Sequence, residues 1–160
     1  EEDNFIDKDL SMREYLSEII SSFKEISKKN FIFNFDQYSN VKKITKSIEI
    51  FYGLRNFIGN ANKFSKETVY INLKSDNEIT EITIEDDGNG YPRDILSKIG
   101  EPYLRSNDPI EKSKTGLGLG LFIGKTLLEK NFALVNCRNS KTRSGAEVVI
   151  EWNNKDLFNI

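Results

Sequence analysis

From Met12 onward the apolar residues Tyr15, Leu16, Ile19, Ile20, Phe23 and Ile26 recur at steps of three and four, which predicts an amphipathic helix of about four turns. Lys28-Lys29-Asn30 marks its end. Phe31, Phe33 and Phe35 then alternate with Ile32 and Asn34 as a strand does, before polar Asp36-Gln37-Tyr38-Ser39-Asn40. Ser47 is a suitable N-cap for a second helix running to about Phe64. Residues 69–73 and 78–85 alternate, are rich in β-branched side chains and flank Ser75-Asp76-Asn77, so they predict a hairpin. Pro92 stands where a short helix can begin, with Ile95, Leu96 and Ile99 on one face. Residues 101–115 follow neither period and predict a mobile loop. A glycine-rich segment then opens a helix through Phe122, Ile123, Leu127 and Leu128, and strands near 133–137 and 147–152 finish the chain. The order predicts an α/β (α+β) two-layer sandwich, with a mixed, mostly antiparallel sheet and helices on one face.

Composition narrows what such a sandwich can do. A chain of 160 residues fits one domain spanning 1–160, which should bury roughly two-thirds of its unfolded surface. Its 23 basic and 25 acidic residues nearly cancel and are scattered, so the electrostatic footprint of a nucleic-acid binder is missing. The single Cys137 excludes an internal disulfide and a cysteine-cluster metal site, and no run of about 18 apolar residues offers a membrane span. The chain opens on Glu1-Glu2-Asp3, with neither an initiator methionine nor a signal peptide. A soluble, cytosolic piece of a longer protein is the expectation, and the parent could still sit in a membrane. There is no histidine, so any phosphorylated histidine must lie on another segment or chain.

Three places could carry chemistry. On the second helix Leu54, Ile58 and Ala61 fall within about 60° of arc, while Asn56, Asn60 and Lys63 share a similar arc opposite. That second face is a solvated one, the reading an asparagine-rich chain favours by itself, or a ligand face of two amides and an ammonium, since a pair of asparagines one turn apart is mildly costly unless something uses their oxygens. Asp86-Asp87-Gly88-Asn89-Gly90 leaves a strand for a turn, where glycines permit positive φ or close backbone approach. It reads as an ordinary turn, or as a buried Asp86 that accepts the exocyclic amine of adenine in an apolar slot. Gly116, Gly118 and Gly120 alternate with Leu117, Leu119 and Leu121 before an apolar helix, and free amides at a helix N-terminus suit an anion. Gly124-Lys125-Thr126 is not a Walker A loop, because Leu119 stands where its glycine is required. The dinucleotide fingerprint fails too, with Ile123 at its third glycine and polar 111–114 in place of a strand.

In order, these segments resemble the signature boxes of the histidine-kinase branch of the GHKL ATPases, the superfamily that also holds gyrase, Hsp90 and MutL. The run from Asn56 through Asn60 to Phe64 resembles the N box, and Asp86 to Gly90 the first glycine box. Glu101-Pro102-Tyr103-Leu104-Arg105 is similar to the F box, with Tyr103 for the usual phenylalanine, and Gly116 to Leu121 matches the second glycine box. Ser144-Gly145-Ala146-Glu147 stands at the final box, where Ala146 replaces the common threonine; Tyr91 likewise replaces a usual aliphatic residue. Gly100-Glu101-Pro102-Tyr103, the stretch from Leu121 to Glu129 and the closing Glu151-Trp152 resemble the RegB-type redox-responsive kinases of proteobacteria.

The resemblance implies the Bergerat ATP-binding fold, with ATP and Mg²⁺ as cofactors. Asn60 would coordinate Mg²⁺ through its amide oxygen. Asn56 would support the phosphates, with Lys63 and Arg105 as positive charges beside them; these three are the catalytic candidates. Phe64 would pack on adenine, Asp86 would read its amine, and Gly88, Gly90 and Tyr103 would belong to the same nucleotide site. Gly116, Leu117, Gly118, Leu119, Gly120 and Leu121 would close over the phosphates. Residues 99–115 would form the ATP lid, where Lys112 and Lys114 either assist or are solvated. Asparagine at position 56 cannot take a proton as the glutamate of hydrolysing relatives does, which favours phosphoryl transfer over hydrolysis. The implied partners are the kinase's own dimerisation domain, which carries the phosphoacceptor histidine, and a response regulator. The implied parent is a homodimer anchored in the bacterial inner membrane, with this domain in the cytoplasm. A regulatory ATP-binding module without transfer, a serine-directed or hydrolysing relative, and a simple interaction domain are the alternatives. Cys137 is expected to pack as a small apolar residue.

Overall fold

Leu10–Ser11 (β1) forms a two-residue antiparallel pair with Lys43–Ile44 (β3), a small ladder too short for its pattern to be read in the sequence. Ser11 also opens the first helix, α1 (Met12–Lys24), with a reciprocal cap: its hydroxyl accepts the Glu14 N–H, and the Glu14 carboxylate accepts the Ser11 N–H at 3.0 Å. Met12, Tyr15, Leu16, Ile19, Ile20 and Phe23 form the buried face, as their spacing predicts. Ile26 does not extend it. The N–H groups of Ile26 and Ser27 turn back to the Phe23 carbonyl, closing the helix early and leaving Ile26 78% exposed. In this computed structural model the residues described are 10–36, 43–44, 47–97 and 117–158, with 117–119 described by their backbone alone.

Ser47 caps the second helix, α2 (Ile48–Phe64), by accepting the Ile50 N–H at 3.2 Å. At the other end the Lys29 ammonium donates to the carbonyls of Asn62 and Ser65, a cation set against the negative pole of the helix. Five strands make the main sheet: β2 (Asn30–Phe35), β4 (Thr68–Ser75), β5 (Ile79–Asp86), β6 (Leu134–Asn139) and β7 (Ala146–Asn153). Their order is β2-β4-β5-β7-β6, with β2 parallel to β4 and the other pairs antiparallel. The hairpin β4–β5 turns at Asp76, whose Oδ1 accepts the N–H groups of Glu78 and Ile79 at 2.8 Å.

Alternation puts Val69, Ile71, Leu73, Ile82, Ile84, Val148, Ile150 and Trp152 on one sheet face, all buried. The helices lie over that face, α1 against β2, α2 against β4 and β5, and α4 (Leu117–Lys130) against β6. This is the expected two-layer sandwich with a mostly antiparallel sheet. The opposite face is polar, with Arg138 paired to Glu147 at 2.8 Å and the Arg143 guanidinium 3.7 Å from the Tyr70 ring centroid. The single turn α3 (Arg93–Leu96) follows Pro92 and buries Ile95; Ile99 lies outside the described residues. A closing turn, α5 (Asn154–Leu157), is tied to the hairpin by Asn154, which accepts from the Thr80 hydroxyl at 2.6 Å and donates to the Asp76 carbonyl at 2.7 Å. Among the described residues no helix is long and apolar enough to cross a membrane.

α2 and α4 meet through small residues. A Cβ built on Gly124 would stand 2.8 Å from the Phe57 ring, and one on Gly53 2.7 Å from Leu128. Replacing Gly124 with valine therefore forces the helices apart, and overpacking of this kind costs about 1–3 kcal/mol. Denaturant unfolding of Gly124→Val should show a lower midpoint with an unchanged slope; an unshifted midpoint would mean that the contact is slack.

Candidate functional site

β5 leaves the sheet at Asp86, and the turn that follows forms one wall of a cleft with ≈ 560 Å³ of empty space, part of it open to solvent. Phe57, Asn60, Ala61 and Phe64 of α2 face Ile84 and Asp86 of β5 across it. Asn89, Gly90 and Tyr91 of the turn and Ala146 and Val148 of β7 complete the lining. The walls are mostly apolar, and Asp86 is the one carboxylate among these residues.

Asp86 is 5% exposed, and its Oδ1 accepts backbone N–H groups from Gly88 at 2.8 Å and Ala146 at 3.3 Å. Burial pushes its carboxyl above the usual carboxylate range, against the pull of those two donors. The neighbouring Asp87 behaves oppositely. Burial acts on it too, but the N–H groups of Glu67, Thr68 and Lys66 converge on its oxygens and together hold it below the ordinary value. The turn is built for close approach: a Cβ on Gly88 would fall 2.1 Å from the Phe64 carbonyl oxygen, and one on Gly145 1.9 Å from that of Asp86. Gly90 adopts φ +78°, a left-handed conformation suited to glycine.

The opposite end of the cleft lies between α2 and α4. Asn60 Nδ2 is buried and finds no hydrogen-bond partner among the described residues. A Cβ on Gly120 would meet the Asn60 amide at 3.1–3.2 Å, so the bare backbone of α4 comes right up to it. An amide's oxygen and nitrogen exchange places by a simple flip, so an oxygen ligand can be presented here. That donor type fits Mg²⁺, which takes its remaining ligands from phosphate oxygens and waters and rarely from an all-protein cage. Among the described residues no group of three or more Asp, Glu or Cys side chains could hold a metal by itself.

The remaining candidates are placed as follows. Asn56 is half-buried one turn before Asn60, and its Nδ2 donates to the Tyr52 carbonyl at 2.8 Å; it does not line the cleft. Lys63 is exposed, its ammonium 5.4 Å from the centroid of the Phe64 ring. Leu117, Gly118, Leu119 and Gly120 form the first turn of α4, so the described part of the glycine-rich segment lies within the helix, where backbone N–H groups have no intrahelical acceptor. Leu121 is fully buried in the core. Tyr103, Arg105, Gly116, the lysines at 112 and 114 and the proposed lid lie outside the described residues.

Sequence reasoning did not single out Phe57, Asn89 or Val148 as lining, and it named Tyr91 and Ala146 only as departures from a pattern. Ala146 has no hydroxyl to offer, yet its backbone N–H holds Asp86. Helical spacing did contain a signal for Phe57, which follows Leu54 by three positions at the border of the core face.

The fold and the cleft define a class. Residues 45–155 match the histidine kinase-, DNA gyrase B- and HSP90-like ATPases, and the chain belongs to this family. It is 37% identical over 124 residues to the sensor histidine kinase RegB of Cereibacter sphaeroides, a match covering 68% of this chain and 27% of RegB. The chain thus corresponds to about a quarter of that relative's length. Two solved structures share the fold. The catalytic domain of histidine kinase ThkA superposes with a TM-score of 0.73 at 19% identity, covering 91% of this chain and 96% of that one. Full-length ShkA in complex with AMPPNP gives 0.71 at 20% identity, covering 91% of this chain and 30% of that one.

Because the folded-state proton affinity of Asp86 is raised, its contribution to stability is full below the unfolded value near 3.8 and is lost as pH rises through the folded value. Asp86→Asn keeps an acceptor for both N–H groups but never ionises. Its melting temperature relative to wild type should therefore climb between pH 4 and pH 7; a constant difference would mean that the charged form is not penalised.

Proposed function

We propose that this chain is the catalytic ATP-binding domain of a RegB-type sensor histidine kinase, which holds Mg·ATP and presents the γ-phosphoryl group to a histidine on the kinase's own dimerisation domain. The observation that carries the reading is the buried Asp86 in an apolar cleft. Both of its hydrogen bonds among the described residues use Oδ1, which leaves Oδ2 to accept the exocyclic amine of adenine. ShkA, whose full-length chain includes this fold, was solved in complex with AMPPNP, an ATP analogue, which supports a nucleotide as the ligand. Phe64, Phe57 and Val148 would bury the base by its faces and edges.

At the other end Asn60 would hold Mg²⁺ through its amide oxygen, and the N–H groups of the first turn of α4 would meet the phosphates. The ion, when bound, neutralises charge on the phosphate oxygens. Lys63 would add long-range positive charge, and Arg105 of the F box would add more. Phosphoryl transfer asks little covalent chemistry of the protein: an imidazole nitrogen attacks the γ-phosphorus, the bond to the bridging oxygen breaks, and ADP leaves. Positioning and charge neutralisation therefore suffice. Among the described residues of the cleft no general base for water is offered, since position 56 is an amide and Asp86 would serve the base end. The acceptor histidine comes from outside, because this chain has none. A response regulator as the next acceptor, a homodimeric parent anchored in the inner membrane and a cytoplasmic place for this domain complete the proposal.

Losing a hydrogen bond to a charged acceptor, worth about 1.5–3 kcal/mol, should weaken ATP binding by Asp86→Ala roughly 10- to 150-fold in calorimetry. Equal affinities would remove Asp86 from the adenine role. Mixed with its dimerisation domain and γ-labelled ATP, the wild-type chain should yield an acid-labile label on histidine. Tight binding with no label would make it a regulatory module, and acid-stable label would make it serine-directed.

A further inference from the structure

The two main-chain donors on the Asp86 carboxylate come from separate segments. The Gly88 N–H belongs to the turn that follows β5, and the Ala146 N–H opens β7; both reach Oδ1, at 2.8 and 3.3 Å. The Ser144 side chain joins those segments. Its hydroxyl, two residues before Ala146, shares a single proton between the Gly88 carbonyl at 3.0 Å and the Asp87 carbonyl at 3.3 Å. The Asp87 carbonyl and the Gly88 N–H are the two ends of one trans peptide unit and point in opposite directions. Ser144 thus holds that unit from behind while its N–H meets Asp86 in front, and a donor whose own carbonyl is engaged makes the stronger bond.

Turn serines ordinarily bond to their own turn, which would explain a hydroxyl here without reference to the cleft. In this hairpin Ser140 takes that task. Its hydroxyl accepts the Thr142 and Arg143 N–H groups at 3.3 and 2.9 Å and donates to the buried Glu85 carboxylate at 2.7 Å, and its N–H closes the turn on the Gly145 carbonyl at 2.9 Å. Ser144 instead reaches back 56 and 57 positions, to the turn whose next residues line the cleft. The segments it joins are already close: a Cβ on Gly145 would stand 2.3 Å from Asp86 Oδ1, and one on Gly88 3.0 Å from it. They have room to part but not to approach, and the Ser144 hydroxyl opposes the parting.

We infer that Ser144 is a positioning residue for the base end of the nucleotide site: by tying the turn after β5 to the start of β7 it keeps both donors on Oδ1, and so fixes the direction in which Oδ2 meets the adenine amine. The inference rests on the nucleotide reading above. A carboxylate is planar, so donors fixed on one oxygen restrict where the other points. Ser144 acts through Asp86 and not on the nucleotide itself.

Calorimetry with Mg·ATP tests this on the 160-residue chain, at a temperature where thermal melts show each variant folded. Loss of one neutral hydrogen bond's restraint predicts that Ser144→Ala binds ATP about two- to tenfold more weakly. Ser144→Thr, which keeps the hydroxyl, should recover most of the affinity. Placed on Asp86→Ala, Ser144→Ala should cost nothing further, because its effect runs through the carboxylate that alanine lacks. A serine that only stabilises the fold would not give that pattern. In the nucleotide-free chain the Gly88 amide proton should also move upfield in Ser144→Ala, as its bond to Asp86 lengthens. Unchanged affinity in folded Ser144→Ala, or an equal loss on the Asp86→Ala background, would overturn the inference alone. Failure of the wild-type chain to bind ATP at millimolar concentration would overturn the nucleotide reading and this inference with it.

Discussion

Two adjacent carboxylates at the end of β5 hold the working end of the molecule together. Asp87 gathers the N–H groups of Lys66, Glu67 and Thr68, the turn that carries the chain from α2 into β4. Asp86 takes those of Gly88 and Ala146, tying the turn after β5 to the start of β7. One residue thus fixes the helix that supplies one wall of the cleft, and the next fixes the strand that supplies another. Their opposite proton affinities follow from this division: the convergent N–H donors at Asp87 overcome burial, whereas at Asp86 burial, joined by the charge of Asp87, outweighs two. A charge kept under strain in an apolar cleft is one that a donor-bearing ligand can relieve.

The cleft exists because backbones come closer here than side chains would allow. Gly88 and Gly145 let the Phe64 and Asp86 carbonyls approach the turn, and Gly53 and Gly124 let α4 settle on α2. The second contact matters for the phosphate end, since it brings the bare backbone at Gly120 against the Asn60 amide. Packing between the helices and polarity in the cleft are therefore one design problem. Widening the helix contact would move Phe57, which touches α4 at Gly124 and also lines the cleft.

Period-based reading recovered the elements whose stability comes from one buried face. α1, α2 and the β4–β5 hairpin announce themselves by repeats of three and four or of two, because burial rewards those positions alone. It failed where ends are set by hydrogen bonds instead, as at Ile26, whose apolarity fits the stripe although the chain has already turned away at Phe23. The β1–β3 pair is too short to show a period at all. Of the residues found in the cleft lining, Asn60 and Asp86 stood out by residue type, an amide inside a helix and a carboxylate where a strand meets a glycine turn, whereas Phe64 was named only through the family resemblance. Phe57 and Val148 did not stand out, since a lining residue that is also a core residue looks like any other core residue. The two bonds between the Asn139 side chain and the Tyr91 main chain span 48 positions, a distance over which composition and spacing say nothing.

The layout of charge argues for a division of labour between this chain and its acceptor. The single carboxylate among the described lining residues stands where β5 leaves the sheet, the end at which the proposal puts the adenine amine, and the opposite end offers amides and helix N–H groups. Such an end can steady negative phosphate oxygens but cannot take a proton from water, because an amide has no basicity near neutral pH. An imidazole needs no such help, being a nucleophile in its neutral form. On the proposed reading, described residues that neutralise without activating would spare ATP from water while leaving it open to a histidine brought from elsewhere, and this chain, which has no histidine, would hold the phosphoryl donor.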